Sequence, residues 1–162
     1  MRKILRAGLA ALLALGCAPV LAATATTTFT VTATVAAACT ISATNLAFGA
    51  YVPTAALPTD ASSTVTTTCT LAAPYNIGLD AGTGTGATVA ARKMTSGANL
   101  LTYSLFQDAA RAVVWGNTIG TDTVALVGTG LAVGTAVFGR IPALQNVPVG
   151  GYTDLITATV TF

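Results

Sequence analysis

The chain has 162 residues, 53% of them hydrophobic and only 7% charged, with no histidine; that length supports one domain with a real core. Seven basic residues against five acidic ones give a net charge of +2. Beyond the N-terminus the only adjacent basic pair is Arg92-Lys93, which excludes the phosphate-neutralising footprint of a nucleic-acid binder, and the absence of histidine removes the commonest general base and metal ligand.

The first 22 residues read as a secretory signal. Arg2, Lys3 and Arg6 form a positive start, Ala7 to Leu15 an apolar run too short to span a bilayer, and Val20-Leu21-Ala22 a small-residue cleavage site. A lipoprotein signal is the competing reading, because Cys17 follows Leu15-Gly16, but the leucine lies one position later than that motif places it. Cleavage near Ala22 leaves four basic residues, Arg92, Lys93, Arg111 and Arg140, against five aspartates, a net charge of −1.

Directly behind the signal, Thr27 to Val35 alternates strictly. Phe29, Val31, Ala33 and Val35 share one face, and Thr28, Thr30, Thr32 and Thr34 the other. Such a segment is a strand in need of a sheet.

Cys39 and Cys69 remain after the signal leaves. In an oxidising compartment they are expected to form one structural disulfide; two cysteines without histidine or glutamate are too few ligands for a metal, and no metal or other cofactor is expected. Val65, Thr67, Cys69 and Leu71 share one face of a predicted strand, and Tyr75, Ile77 and Leu79 share a face of the next. Short alternating runs separated by glycine and proline, without capped helical periodicity, predict an all-β sandwich with at most a turn or two of helix.

No catalytic residue is expected. Gly82-Thr83-Gly84-Thr85-Gly86 lacks the Lys-Ser/Thr that follows in a phosphate loop and reads as a hairpin turn. Ser42, Ser62 and Ser104 have no histidine to activate them. Asp80, Asp108 and Asp154 could in principle pair for acid–base work; Asp108 with Arg111 reads as a turn ion pair. Trp115, Tyr51, Tyr75 and Tyr103 read as core rather than as a sugar-stacking face.

The last predicted strand, Tyr152 to Phe162, carries an apolar row of Ile156, Ala158, Val160 and Phe162. Alternating strands at both ends would be edges that soluble proteins avoid. On physical grounds two readings stay open: each strand pairs within its own sheet, or strands are exchanged between chains.

Taken together, Cys39-Thr40-Ile41, Leu46-Ala47-Phe48-Gly49-Ala50-Tyr51, Cys69-Thr70-Leu71, Gly78-Leu79-Asp80-Ala81-Gly82, Arg92-Lys93-Met94, Leu101 to Asp108, Trp115-Gly116, Phe138-Gly139-Arg140-Ile141-Pro142 and Gly151-Tyr152-Thr153-Asp154 resemble the spore coat protein U domain, a family that includes pilin subunits of archaic chaperone-usher pili. The resemblance covers essentially the whole chain after the signal. It implies an incomplete immunoglobulin-like β-sandwich, completed by a donor strand from a neighbouring subunit, a form of β-augmentation. Asp80, Asp108 and Asp154 each lie in one of the motifs that carry it, which implies turn or strand structure for them and not acid–base work.

Carried onto this chain, residues 1–22 are the signal peptide, 23–37 the donor strand and 38–162 the pilin domain. Phe29, Val31, Ala33 and Val35 would enter a neighbour's groove, and Ile156, Ala158, Val160 and Phe162 would form the strand gripped by a periplasmic chaperone. The partners implied are like subunits in a head-to-tail polymer, that chaperone and an outer-membrane usher; the destination is a pilus on the cell surface, serving adhesion or biofilm formation. A single domain that keeps a donor segment resembles a shaft subunit rather than a tip adhesin. The alternative is a self-complete secreted sandwich acting as a coat-layer or carbohydrate-binding module.

Overall fold

The computed structural model describes residues 21–162, so most of the expected signal peptide lies outside the described residues. Residues up to Thr34 form a unit distinct from Val35–Phe162. The described part of the first unit carries no regular secondary structure, and its Phe29 and Val31 are 86% and 80% exposed.

The second unit is built from eight strands: β1 (Cys39–Ala43), β2 (Thr59–Cys69), β3 (Pro74–Leu79), β4 (Arg92–Ser96), β5 (Asn99–Phe106), β6 (Val124–Val127), β7 (Ala132–Ile141) and β8 (Ala158–Thr161). No helix occurs among the described residues, as the β-branched and glycine-rich composition requires. A five-stranded sheet runs β1-β2-β7-β5-β4 and a three-stranded sheet runs β6-β3-β8. The protein is thus an all-β sandwich.

Alternation puts the core where the pattern predicts it. Val65, Thr67 and Cys69 of β2 and Tyr75, Ile77 and Leu79 of β3 are buried, because odd positions on both strands point between the sheets. They pack with Leu101, Tyr103 and Leu105 of β5, Val137 and Ile141 of β7, and Trp115. The Tyr75 hydroxyl, buried with Thr67, shares a hydrogen bond of 2.9 Å with the threonine hydroxyl, so neither polar group is left unpaired.

Three expectations are corrected. Leu71 leaves the buried row and is 72% exposed, because β2 ends at Cys69 and the chain turns through Ala72 at φ +62°. The glycine run 82–86 is not a hairpin turn: it joins β3 in one sheet to β4 in the other. Its glycines answer to packing, since a Cβ at Gly84 would stand 2.2 Å from the Lys93 carbonyl oxygen. Arg111 pairs not with Asp108 but with Asp60, at 3.2 Å.

Asp60 also takes two 2.8 Å hydrogen bonds from the Arg140 guanidinium. That bidentate contact, more than the attraction of Arg111, holds the Asp60 carboxyl below its usual pKa. Asp108 instead accepts from the Val113 and Ala112 amides, and these backbone bonds, Val113 first, lower its pKa.

Cys39 and Cys69 face each other across β1 and β2 and are joined by a disulfide. With a sequence separation of 30, replacing both by serine should lower stability by about 3 to 4 kcal/mol in the chain-entropy account. Urea unfolding of the Cys39→Ser/Cys69→Ser chain checks this, and a midpoint equal to the parent's would refute it.

Candidate strand-accepting cleft

Each sheet ends on one side in a strand with a free outer edge, β1 in the larger sheet and β8 in the smaller. Thr44 donates to Thr64 O and Thr70 to Ala38 O, so the even-numbered residues of β1 bond to β2. Antiparallel pairing alternates, and the backbone groups of Cys39, Ile41 and Ala43 therefore point away from the sheet. On β8, Asp80 donates to Thr157 O in a register that pairs Gly78 with Thr159 and Asn76 with Thr161. The odd residues bond to β3, and the backbones of Ala158 and Val160 face the other way.

β1 and β8 approach within 8 Å between Cα atoms, yet they lie in different sheets. Among the described residues no backbone hydrogen bond joins them. Past Ala43 the space between the two walls widens. One wall continues through Thr44 to Phe48, the other runs back from Ala158 through Leu155 to Tyr152, and the floor includes Val65, Leu79, Leu105 and Val137. This hollow of about 450 Å³ shares Leu46, Phe48, Met94 and Tyr152 with a second of about 600 Å³ that extends to Val149. Together they form one apolar cleft along the seam of the sandwich.

The first wall belongs to no sheet beyond Ala43 and is strapped in place by side chains. Leu46 and Phe48 lie over Gly139, where a Cβ would stand 3.0 Å from Leu46 Cδ1 and 2.8 Å from Phe48 Cζ. The Phe48 ring meets Tyr103 edge-on at 5.9 Å. The Tyr51 hydroxyl donates to Pro142 O and accepts from the Gln145 amide, while Gln145 brackets Thr102 of β5 through both polar atoms of its side chain.

The second wall is held by carboxylates. Asp154 accepts from the Thr83 amide and hydroxyl and, at 2.8 Å, from the Tyr103 hydroxyl. Burial, then the Asp154 hydrogen bond, push the Tyr103 pKa far up, so the phenol stays a neutral donor. Asp80 accepts from the amides of Gly82 and Thr157. These aspartates tie loop 81–86 to the start of β8. Among the described residues no group of three or more His, Cys, Asp or Glu gathers to hold a metal.

The structure places the sequence-predicted residues unevenly. Ile156, Ala158 and Val160 face inward, half-buried against the core, whereas Phe162 is 57% exposed. The strand is shorter than the predicted span from Tyr152, because only Ala158–Thr161 pairs with β3 and Thr153 instead bridges to Thr95 of β4. Phe29, Val31, Ala33 and Val35 are all exposed. Sequence reasoning missed the wall at Leu46 and Phe48, although their spacing by two was legible.

The structure thus defines the class: an all-β sandwich with two unpaired edges flanking an apolar cleft. The comparisons give that class a family. The model of the Spore Coat Protein U domain matches residues 25–159. The chain is also 39% identical to Protein U of Myxococcus xanthus over 159 residues, covering 89% of this chain and 88% of that protein. The chain belongs to the spore coat protein U domain family.

Among solved structures, the fold is similar to a chain in the CsuC–CsuE chaperone–tip adhesion subunit pre-assembly complex from the archaic chaperone-usher Csu pili of Acinetobacter baumannii. The TM-score is 0.56 at 24% identity, over 80% of this chain. The match spans 40% of the length of that chain.

Proposed function

We propose that this chain is a structural subunit of an extracellular fibre of the chaperone-usher type, exported through the periplasm after removal of residues 1–22 and assembled head to tail. Residues 23–37 act as the donor strand, and residues 38–162 form the domain that accepts one. A periplasmic chaperone holds the cleft through β8 until an outer-membrane usher passes the subunit on, and the finished pilus serves adhesion or biofilm formation.

The observation that carries this reading is the pairing of a need with a supply. The cleft offers outward-facing backbone groups on β1 and β8 above an apolar floor, and the N-terminal segment offers an exposed apolar row at period two. A strand laid between β1 and β8, which lie within 8 Å of each other and would have to part to about 9.5 Å, twice the spacing of neighbouring strands, would satisfy both edges and bury its row. A contact in which each chain gives forward and receives behind does not close on itself, so it builds a filament. The chaperone role draws on the Acinetobacter complex, in which a chaperone and a subunit are bound together.

The deciding experiment is periplasmic expression with and without residues 23–37, followed by size exclusion without a chaperone. Polymer from the full chain, absent from the truncated one and replaced by a stable monomer when a peptide of residues 23–37 is added, is the expected result. A stable full-length monomer that unfolds on truncation would instead favour a self-complete secreted module.

A further inference from the structure

One feature outside the cleft is exposed, apolar and firmly held. At the disulfide end of the sandwich, Leu71, Val127 and Leu131 are 72%, 60% and 73% exposed. The turn after β2 and the connection between β6 and β7 are stitched together there. Ala72 donates to Gly128 O, Gly128 to Ala73 O and Gly130 to Cys69 O. The Leu71 Cβ lies 3.9 Å from the Cβ position of Gly130, and a Cβ on Gly128 would stand 2.1 Å from the Thr70 carbonyl oxygen. Ala72 is kept in the left-handed region at φ +62°, a conformation that is strained for any residue with a side chain. A strained turn that holds a leucine out in water calls for a partner.

The chain itself says which partner. Ala38 is clamped to Thr70, the neighbour of Leu71: Thr70 donates its amide to Ala38 O at 2.9 Å, and Ala38 donates to the Thr70 hydroxyl at 3.0 Å. Only Ala36 and Ala37 separate this clamp from Val35, the last residue of the donor row. Three residues reach about 10 Å at full extension. Whatever accepts Val35 must therefore stand against the tip that carries Leu71.

Resting on the donor-strand reading, we propose that the tip formed by Leu71, Val127 and Leu131 packs on the copy of this chain that receives its N-terminal segment, so that the joint between subunits is a seated contact and not a free swivel. The surface it meets is the mouth of the receiving cleft. The mouth remote from the disulfide carries an apolar complement, Val149, which lines the cleft and is fully exposed, with Leu144 at 65% exposure.

The test uses full-length polymer carrying a photoreactive benzophenone amino acid at position 131. Illumination should give a covalent dimer of this chain whose cross-linked peptide lies in residues 144–149 of the second copy. Adding Leu71→Ser and Val127→Ser should cut that product at least tenfold while polymer still forms. Polymer that forms normally but yields no chain-to-chain product, or a product with another protein, would overturn the tip contact and leave donor-strand assembly standing. A parent chain that never polymerises would overturn both.

Discussion

Phe29→Asp and Val31→Asp should each abolish polymer while leaving residues 38–162 folded on the periplasmic chaperone, whereas Thr30→Asp should polymerise nearly as well as the parent. The asymmetry follows from the period of two, because Phe29 and Val31 share the apolar face of the segment and Thr30 lies opposite. Burying a phenylalanine or valine contributes about 1.5 to 3 kcal/mol, and an aspartate in its place would have to leave water unpaired over a floor of Val65, Leu79, Leu105 and Val137. A loss of about 3 to 4 kcal/mol at every joint is a factor of several hundred in the joint's equilibrium constant, which removes long polymer at micromolar concentration. Size exclusion of each variant, with circular dichroism on the fraction held by the co-expressed chaperone, reads both halves. Wild-type polymer from Phe29→Asp would end the proposal. Loss of polymer with Thr30→Asp alone would move the buried face to the threonines.

Much of this was legible in the sequence, for physical reasons that also mark where legibility stops. The alternation in Val65 to Cys69 and in Tyr75 to Leu79 located two central strands, because a half-buried strand writes its period directly into the chain. The same rule misplaced Leu71, since periodicity does not announce where a strand ends and Ala72 gives no sign that it turns left-handed. It also read the glycines at 82–86 as a hairpin, because a turn and a crossing between sheets use the same residues.

The ion pair of Arg111 with Asp60 joins positions 51 apart in the chain and was hidden behind the nearer Asp108. The cleft was the least legible feature. Its walls come from residues 43–48 and 152–158, and their free edges emerge only from the hydrogen-bond register of β1 and β8.

Arg92 shows how far a side chain's role can lie from its composition class. In sequence it is half of a basic pair. In the fold it is fully buried, and its guanidinium donates to four carbonyl oxygens, those of Asp80 at 2.8 Å, Val89 at 2.7 Å, Leu79 at 3.0 Å and Trp115 at 2.7 Å. Burial pulls its pKa below the usual arginine value, but arginine starts so far above neutrality that it stays charged throughout the working range. Its contribution should therefore not vary with pH between about 5 and 9.

Arg92→Met removes the donors and leaves the four carbonyls in the core without this partner. At about 1 to 3 kcal/mol for a buried group left unsatisfied, with partial relief by water, the expected loss is about 4 kcal/mol. Arg92→Lys should recover little of it, because a single ammonium cannot reproduce the planar fork that spans Leu79 to Trp115.

The damage should also reach the proposed assembly site. Arg92 fixes Leu79 and Asp80, and Asp80 pairs with Thr157 through both its amide and its carboxylate, at 3.1 and 3.0 Å. Urea unfolding measures the first effect. Amide exchange measures the second, with the Thr157 amide expected to lose more protection than the Thr66 amide, which lies in the β1–β2 ladder far from Arg92 along the chain. Unchanged stability in Arg92→Met would show that the four carbonyls find other donors. Unchanged exchange at Thr157 in a destabilised variant would separate the arginine from the open edge of β8 that the proposed donor strand would meet.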